Sequence, residues 1–115
     1  MERGVSRIAI LEPAVEVRLL FARHVSRLGH EAVLPEGPVP EDVDLVIVEP
    51  VSSADVDRTL AALRARPELL VICASITPQA PGAAKLSPHT YLVKPFALDT
   101  LGLAIAGALE GRAPG

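Results

Sequence analysis

Glu12, Glu49, Ser75 and Lys94 are the residues of this sequence whose types suggest chemistry, and each closes an apolar run. Ile8-Ala9-Ile10-Leu11 leads into Glu12-Pro13, and Leu45-Val46-Ile47-Val48 into Glu49-Pro50. Leu69-Leu70-Val71-Ile72-Cys73-Ala74 leads into Ser75, and Tyr91-Leu92-Val93 into Lys94-Pro95. Two carboxylates, a hydroxyl and an ammonium brought together suit three kinds of site. They could hold a divalent cation, bind a phosphate through Lys94 and Ser75, or form an ion-pair cluster that satisfies itself. Polar residues at strand ends are ordinary, so the types alone leave all three open.

The four runs are apolar on both alternating faces, as strands buried between two layers are. A proline directly after Glu12, Glu49 or Lys94 cannot extend a hydrogen-bond ladder, so those strands stop there. Between them the period changes. Val17, Leu20, Phe21, His24, Val25 and Leu28 follow the rhythm of an amphipathic helix that Gly29 closes, with His24 expected on its apolar face and locally hydrogen-bonded. Ser52 to Asp55 offers an N-cap and Val56, Leu60 and Leu63 a helical face before Arg66-Pro67, and a last helix spans Leu98 to Glu110. Glu31 to Leu34 reads as a weaker strand. The segment after it, through Asp42, carries three prolines and a glycine and is short for a crossover. Pro78 to Pro88 is similarly broken, with room for a short helix near Ala83 to Leu86. Alternating strands and helices give an α/β class with a parallel sheet, whose crossovers place Glu12, Glu49, Ser75 and Lys94 on one edge.

Composition narrows the function. The chain has 115 residues, 50% of them hydrophobic, which suits one folded domain at about residues 1–111 with a tail at 112–115. Only 3% are aromatic, so anchors for bases, sugars or cofactor rings are scarce. A net charge of −3 without a Lys or Arg block argues against a nucleic-acid partner, and no apolar run approaches a bilayer span. The single Cys73 excludes an internal disulfide and, with no signal peptide, points to the cytoplasm. Cys73 itself reads as a small buried hydrophobe.

Over nearly its whole length the chain resembles the receiver domains of two-component response regulators. The resemblance rests on the acid after the first strand, Arg18, Gly29-His30-Glu31, Asp44 to Glu49, the hydroxyl of Ser75 and, most specifically, Tyr91-Leu92-Val93-Lys94-Pro95-Phe96. It implies a doubly wound, CheY-like (flavodoxin-like) sheet of order 2-1-3-4-5 with its second and fourth helices shortened or missing. It also implies a cis peptide between Lys94 and Pro95. Under it, Glu49 falls on the phosphoryl-accepting Asp, Glu12 on the first metal-binding acid, Ser75 on the switch hydroxyl, Tyr91 on the switch aromatic and Lys94 on the phosphate-contacting Lys.

Two departures strike at that chemistry. Pro13 replaces the second metal-binding acid, and the acceptor is a Glu. Mg²⁺ needs near-octahedral oxygen ligation, and Glu12, Glu49 and a carbonyl at Val51 are a poor set for it. In-line phosphoryl transfer needs a closely placed nucleophile, which makes Glu49 a poor acceptor. Two carboxylates facing Lys94 leave about one negative unit, so Lys94 is expected to pair with Glu49, Glu12 or both, without a cofactor. A carboxylate reaching Ser75 and Lys94 could also imitate a phosphoryl group and hold the switch in one state. The expectation is a pseudo-receiver: a non-enzymatic signalling module that binds a protein partner and needs no phosphorylation. The alternatives are a receiver that still binds Mg²⁺ and is phosphorylated, and a small-molecule-binding flavodoxin-like domain.

Output would then run through Tyr91, Phe96 and the last helix. That helix can turn Leu98, Leu101, Ile105 and Leu109 to the sheet, and its other side carries Leu103, Ala104, Ala106 and Gly107 in place of charges. An apolar outer face suggests a partner helix, for instance in a homodimer.

Overall fold

Runs of Ile, Leu, Val and Ala with no polar alternation form the three central strands, β1 (Arg7–Leu11), β3 (Leu45–Val48) and β4 (Leu70–Ser75). In the computed structural model, which describes residues 5–111, Ile8, Ala9, Leu45, Val46, Ile72 and Cys73 are fully buried. Shorter β2 (Glu31–Val33) and β5 (Thr90–Val93) take the edges of a five-stranded sheet ordered β2-β1-β3-β4-β5, with every pairing parallel. Leu11 lies beside Val48, Val48 beside Cys73, and Ser75 beside Val93, which brings the carboxyl ends of four strands into one line. β4 runs one residue beyond the apolar stretch because Ser75 pairs with Val93 and its carbonyl accepts from the Lys94 N–H at 2.7 Å.

Each face of the sheet has its own core. On one, α1 (Val15–Arg27) and α4 (Leu98–Glu110) press Phe21, Val25, Leu101 and Ile105 onto Ile8, Ile10, Leu45 and Ile72. On the other, α2 (Ser53–Ala65) and the short α3 (Pro81–Leu86) press Val56, Ala83 and Leu86 onto Ala9, Val46 and Val71. The caps follow the sequence. Ser52 Oγ accepts from the Asp55 N–H to start α2, and Gly29, at φ +90°, ends α1 in a left-handed conformation that glycine adopts without a Cβ clash. A Cβ on Gly82 would meet the Pro50 carbonyl at 2.7 Å, so only glycine lets α3 sit this close to the start of α2.

No helix joins β2 to β3, and the helix after β4 is six residues long, so the second crossover is missing and the fourth is shortened. The proline-rich connection at 34–44 is ordered from outside. Arg58 on α2 donates to the Gly37 carbonyl from Nε at 2.8 Å and to the Pro35 carbonyl from Nη2 at 2.6 Å, while Asp55 pairs with its Nη1 at 3.1 Å. Arg66 donates to the Glu41 carbonyl, and Arg7 pairs with Asp42 and, at 3.3 Å, with Glu31. Val43, fully buried, anchors the far end of the connection in the second core. The tail at 112–115 lies outside the described residues. Among the described residues no helix is long and apolar enough to cross a membrane.

Candidate functional site

The ends of β1, β3 and β5 converge on a single ammonium. Lys94 Nζ donates to Glu12 Oε1 and, at 3.0 Å, to Glu49 Oε2. Both acids are nearly buried, with side chains 5% and 6% exposed, and Lys94 is 14% exposed. The peptide between Lys94 and Pro95 is cis. The second oxygen of each acid is occupied too: Glu12 Oε2 accepts from the Ala14 N–H at 2.9 Å and Glu49 Oε1 from the Val51 N–H at 3.1 Å. Pro13 therefore does more than remove a carboxylate, because it sits in the tight turn that aims the Ala14 N–H back at Glu12. Arg18, one turn into α1, donates to the Glu12 carbonyl at 3.3 Å and holds that turn from the other side.

Opposing influences act on Glu49. Burial pushes its carboxyl up, but hydrogen bonds from Ser75, the Val51 N–H and Lys94, together with the charge of Lys94, outweigh burial and hold it below the ordinary carboxylate value. Cys73, beneath it on β4, moves the other way. Burial and then the charge of Glu49 push its thiol up to about 12, which keeps it protonated and unreactive.

From Ser75, beside Glu49, a path of hydrogen bonds leads toward the surface. Ser75, fully buried, helps to hold the Glu49 carboxyl low and accepts at Oγ from the Thr77 N–H at 3.0 Å. The Thr77 carbonyl accepts from the Tyr91 hydroxyl, which in turn accepts from the Ala80 N–H at 3.0 Å. Thr77 is the link that the sequence did not announce. It works through its backbone, and side-chain type carries no signal of that.

Above the acids lies an open cleft of about 520 Å³ lined by Glu12, Pro13, Val51, Ile76 and Lys94, among others. A resident Mg²⁺ would need several carboxylate oxygens facing one point with no cation between them. Here all four carboxylate oxygens of Glu12 and Glu49 are already bonded, and the ammonium stands between the two groups. Val51, exposed, gives its N–H to Glu49. The donor set does not fit a divalent cation. Among the described residues no group of three His, Cys, Asp or Glu side chains gathers elsewhere.

The remaining sequence candidates separate. Phe96 is half-buried and stacks on Phe21 at a centroid distance of 5.8 Å, so it serves the first core. On the outer side of α4 only Leu103 is truly exposed, at 75%; Ala104 packs against the core, and Ala106 and Gly107 are half-buried, Gly107 beside His89. The local hydrogen bond expected of His24 is not made at its Nε2, which is buried against Gly102 of α4 with no partner among the described residues.

Neither protein-family models nor curated proteins match this sequence. Solved structures do. A response regulator from Thermotoga maritima aligns with a TM-score of 0.77 over 94% of this chain and 100% of its own, at 14% identity. A response regulator receiver domain protein from Clostridium thermocellum gives 0.76 over 92% and 95%, at 18% identity. An orphan response regulator of H. pylori gives 0.72 over 94% and 99%, at 19% identity. At such identities the likeness speaks for the fold, and the chain has the CheY-like fold of response regulator receiver domains.

Proposed function

We propose that this chain is a pseudo-receiver, a signalling module of two-component type that works by protein–protein contact and is not driven by phosphorylation of a carboxylate. One observation carries the reading: Lys94 bridges Glu12 and Glu49. In a phosphoryl-transfer site the nucleophile must be free to attack and its charge and the incoming phosphate's must be neutralised together. Here the carboxylate at the acceptor position has both oxygens committed, and the ammonium that would meet a phosphate is spent on two acids. The low aromatic content and a cleft that is open to solvent, not enclosed, speak against a small-molecule site. No catalytic role is assigned to the acids, since both are committed to Lys94 and Glu49 is held below the ordinary carboxylate value.

The path from Glu49 through Ser75 and Thr77 to Tyr91 favours a further element of this reading. The carboxylate holds the groups that a phosphoryl group would otherwise recruit, and the module stays in one state. Glu49→Ala would release Ser75 and shift the Tyr91 ring resonances, whereas an unchanged Tyr91 would separate the pocket from the surface. For the reading as a whole, titration with millimolar Mg²⁺ is expected to leave the amide resonances of Ala14 and Val51 in place. Saturable shifts at both amides would show that the cation displaces Lys94, and the reading would fail.

A further inference from the structure

The cleft above the Lys94 pocket combines an apolar rim with a charged floor. Pro13, Ala14, Val51 and Ile76 stand exposed around it, and Val17 lines it half-buried. Val51 follows Glu49-Pro50 and Ile76 follows Ser75, so the strand ends that build the floor also set these side chains at its mouth. Ile76 is 70% and Val51 53% exposed, high values for large apolar side chains among the described residues. Bulky apolar groups left in water around one opening mark a surface that another molecule covers.

Charge selects the kind of molecule. On the floor Glu12 and Glu49 share one ammonium, so one negative unit is left over. The helices that start at this edge do not supply the missing cation. α1 adds Glu16 and Arg18, α2 adds Asp55, Asp57 and Arg58, and α4 adds Asp99, so acids outnumber bases there as well, and the 76–80 connection carries no charge. Arg18 is turned to the Glu12 carbonyl at 3.3 Å and Arg58 to Asp55 at 3.1 Å. The amides of Ala14 and Val51 go to the two acids, so neither is offered to an anion. Each carboxylate has more lone-pair sites than the bonds it accepts. A guanidinium can take up those sites without displacing the ammonium, and it is hydrated weakly enough to leave water for a nearly buried acid. Its aliphatic stem suits the apolar rim.

We infer that the cleft receives an arginine carried by a protein partner. The guanidinium meets Glu12 and Glu49, its stem lies against Val51 and Ile76, and apolar residues of the partner cover the rest of the rim. This inference rests on the pseudo-receiver reading, since Lys94 stays in place, and it gives that reading the chemistry of its partner.

A blocked Leu-Arg-Leu peptide is the probe, titrated into the full chain at low salt and followed by amide and methyl resonances. Val17, Val51 and Ile76 are expected to shift saturably at millimolar peptide. The same peptide with citrulline in place of arginine, equal in shape and uncharged, is expected to bind at least about tenfold more weakly. Ile76→Ser, a change at an exposed position, should weaken the arginine peptide severalfold. The arginine site is overturned if those three residues do not shift, if the citrulline peptide binds as tightly as the arginine peptide, or if Ile76→Ser binds as wild type does. Mg²⁺ is titrated separately. Saturable shifts of the Ala14 and Val51 amides with Mg²⁺ would sink the underlying reading, whereas a chain silent to both Mg²⁺ and the peptide loses the arginine site alone.

Discussion

Around Lys94 one shielded cation is shared by two buried carboxylates from different strands, whereas around the 34–44 connection three arginines reach in from the outside, two of them to backbone carbonyls. Under the resemblance to receiver domains, one region stands where that family holds its acidic metal-binding pocket and the other where it has a helix. They are repaired differently. In the pocket, charge answers charge at low solvent exposure. In the connection, guanidinium forks replace the lost helical hydrogen bonds at the surface, where planar donors suit carbonyls that face different ways. Buried repair should be costly to undo and tied to pH; surface repair should be cheaper and local.

The largest effect is expected at Lys94. Lys94→Met leaves two acids without their cation and should lower stability by about 3–5 kcal/mol in urea unfolding at neutral pH. Adding Glu12→Gln and Glu49→Gln should recover most of that loss, because the penalty lies in the unpaired charges and not in the missing ammonium. A triple variant as unstable as the single one would mean that Lys94 acts through packing instead.

Arg58→Ala comes next, at about 2 kcal/mol for charge-assisted hydrogen bonds to carbonyls. Hydrogen exchange should accelerate across 35–43 and leave Ala14 and Val51 protected. Combined with Lys94→Met, the two losses should add to within about 0.5 kcal/mol, since the regions share no partner. Strong coupling would erase the distinction between them.

The pH dependence is smaller and has a definite sign. A carboxyl held below its ordinary value stabilises the fold above that value and ceases to do so as pH falls through the folded-state value. Unfolding free energy should therefore decline on acidification below the ordinary carboxylate range, and Glu49→Gln should flatten that part of the profile. Arg58→Ala should leave its slope alone. Smallest of all is the behaviour of Cys73: with its thiol pushed up to about 12, alkylation in native buffer should proceed only at the rate of unfolding.

Sequence alone made the pocket more legible than the connection, for physical reasons. Leu45 to Val48 has no polar alternation, so it had to be buried on both faces, and Pro50 fixed where Glu49 would emerge. The same reasoning placed Glu12, Ser75 and Lys94 on one edge, and their charges predicted the pairing. The missing second helix was visible in Pro35, Pro38 and Pro40. What orders that stretch was not, because Arg58 acts 21 and 23 residues away on backbone oxygens, and neither periodicity nor residue type encodes such a contact. Thr77 escaped notice for the same reason. The stacking of Phe96 on Phe21 and the partnerless Nε2 of His24 depend on how α1 and α4 pack, which the pattern of each helix alone does not determine.

The most direct measurement is intact mass after incubation with acetyl phosphate and Mg²⁺, run on wild type and on Glu49→Gln. A pocket closed by Lys94 predicts wild type at its unmodified mass, indistinguishable from the variant. A stoichiometric, base-labile phosphoryl adduct on wild type that Glu49→Gln abolishes would contradict it.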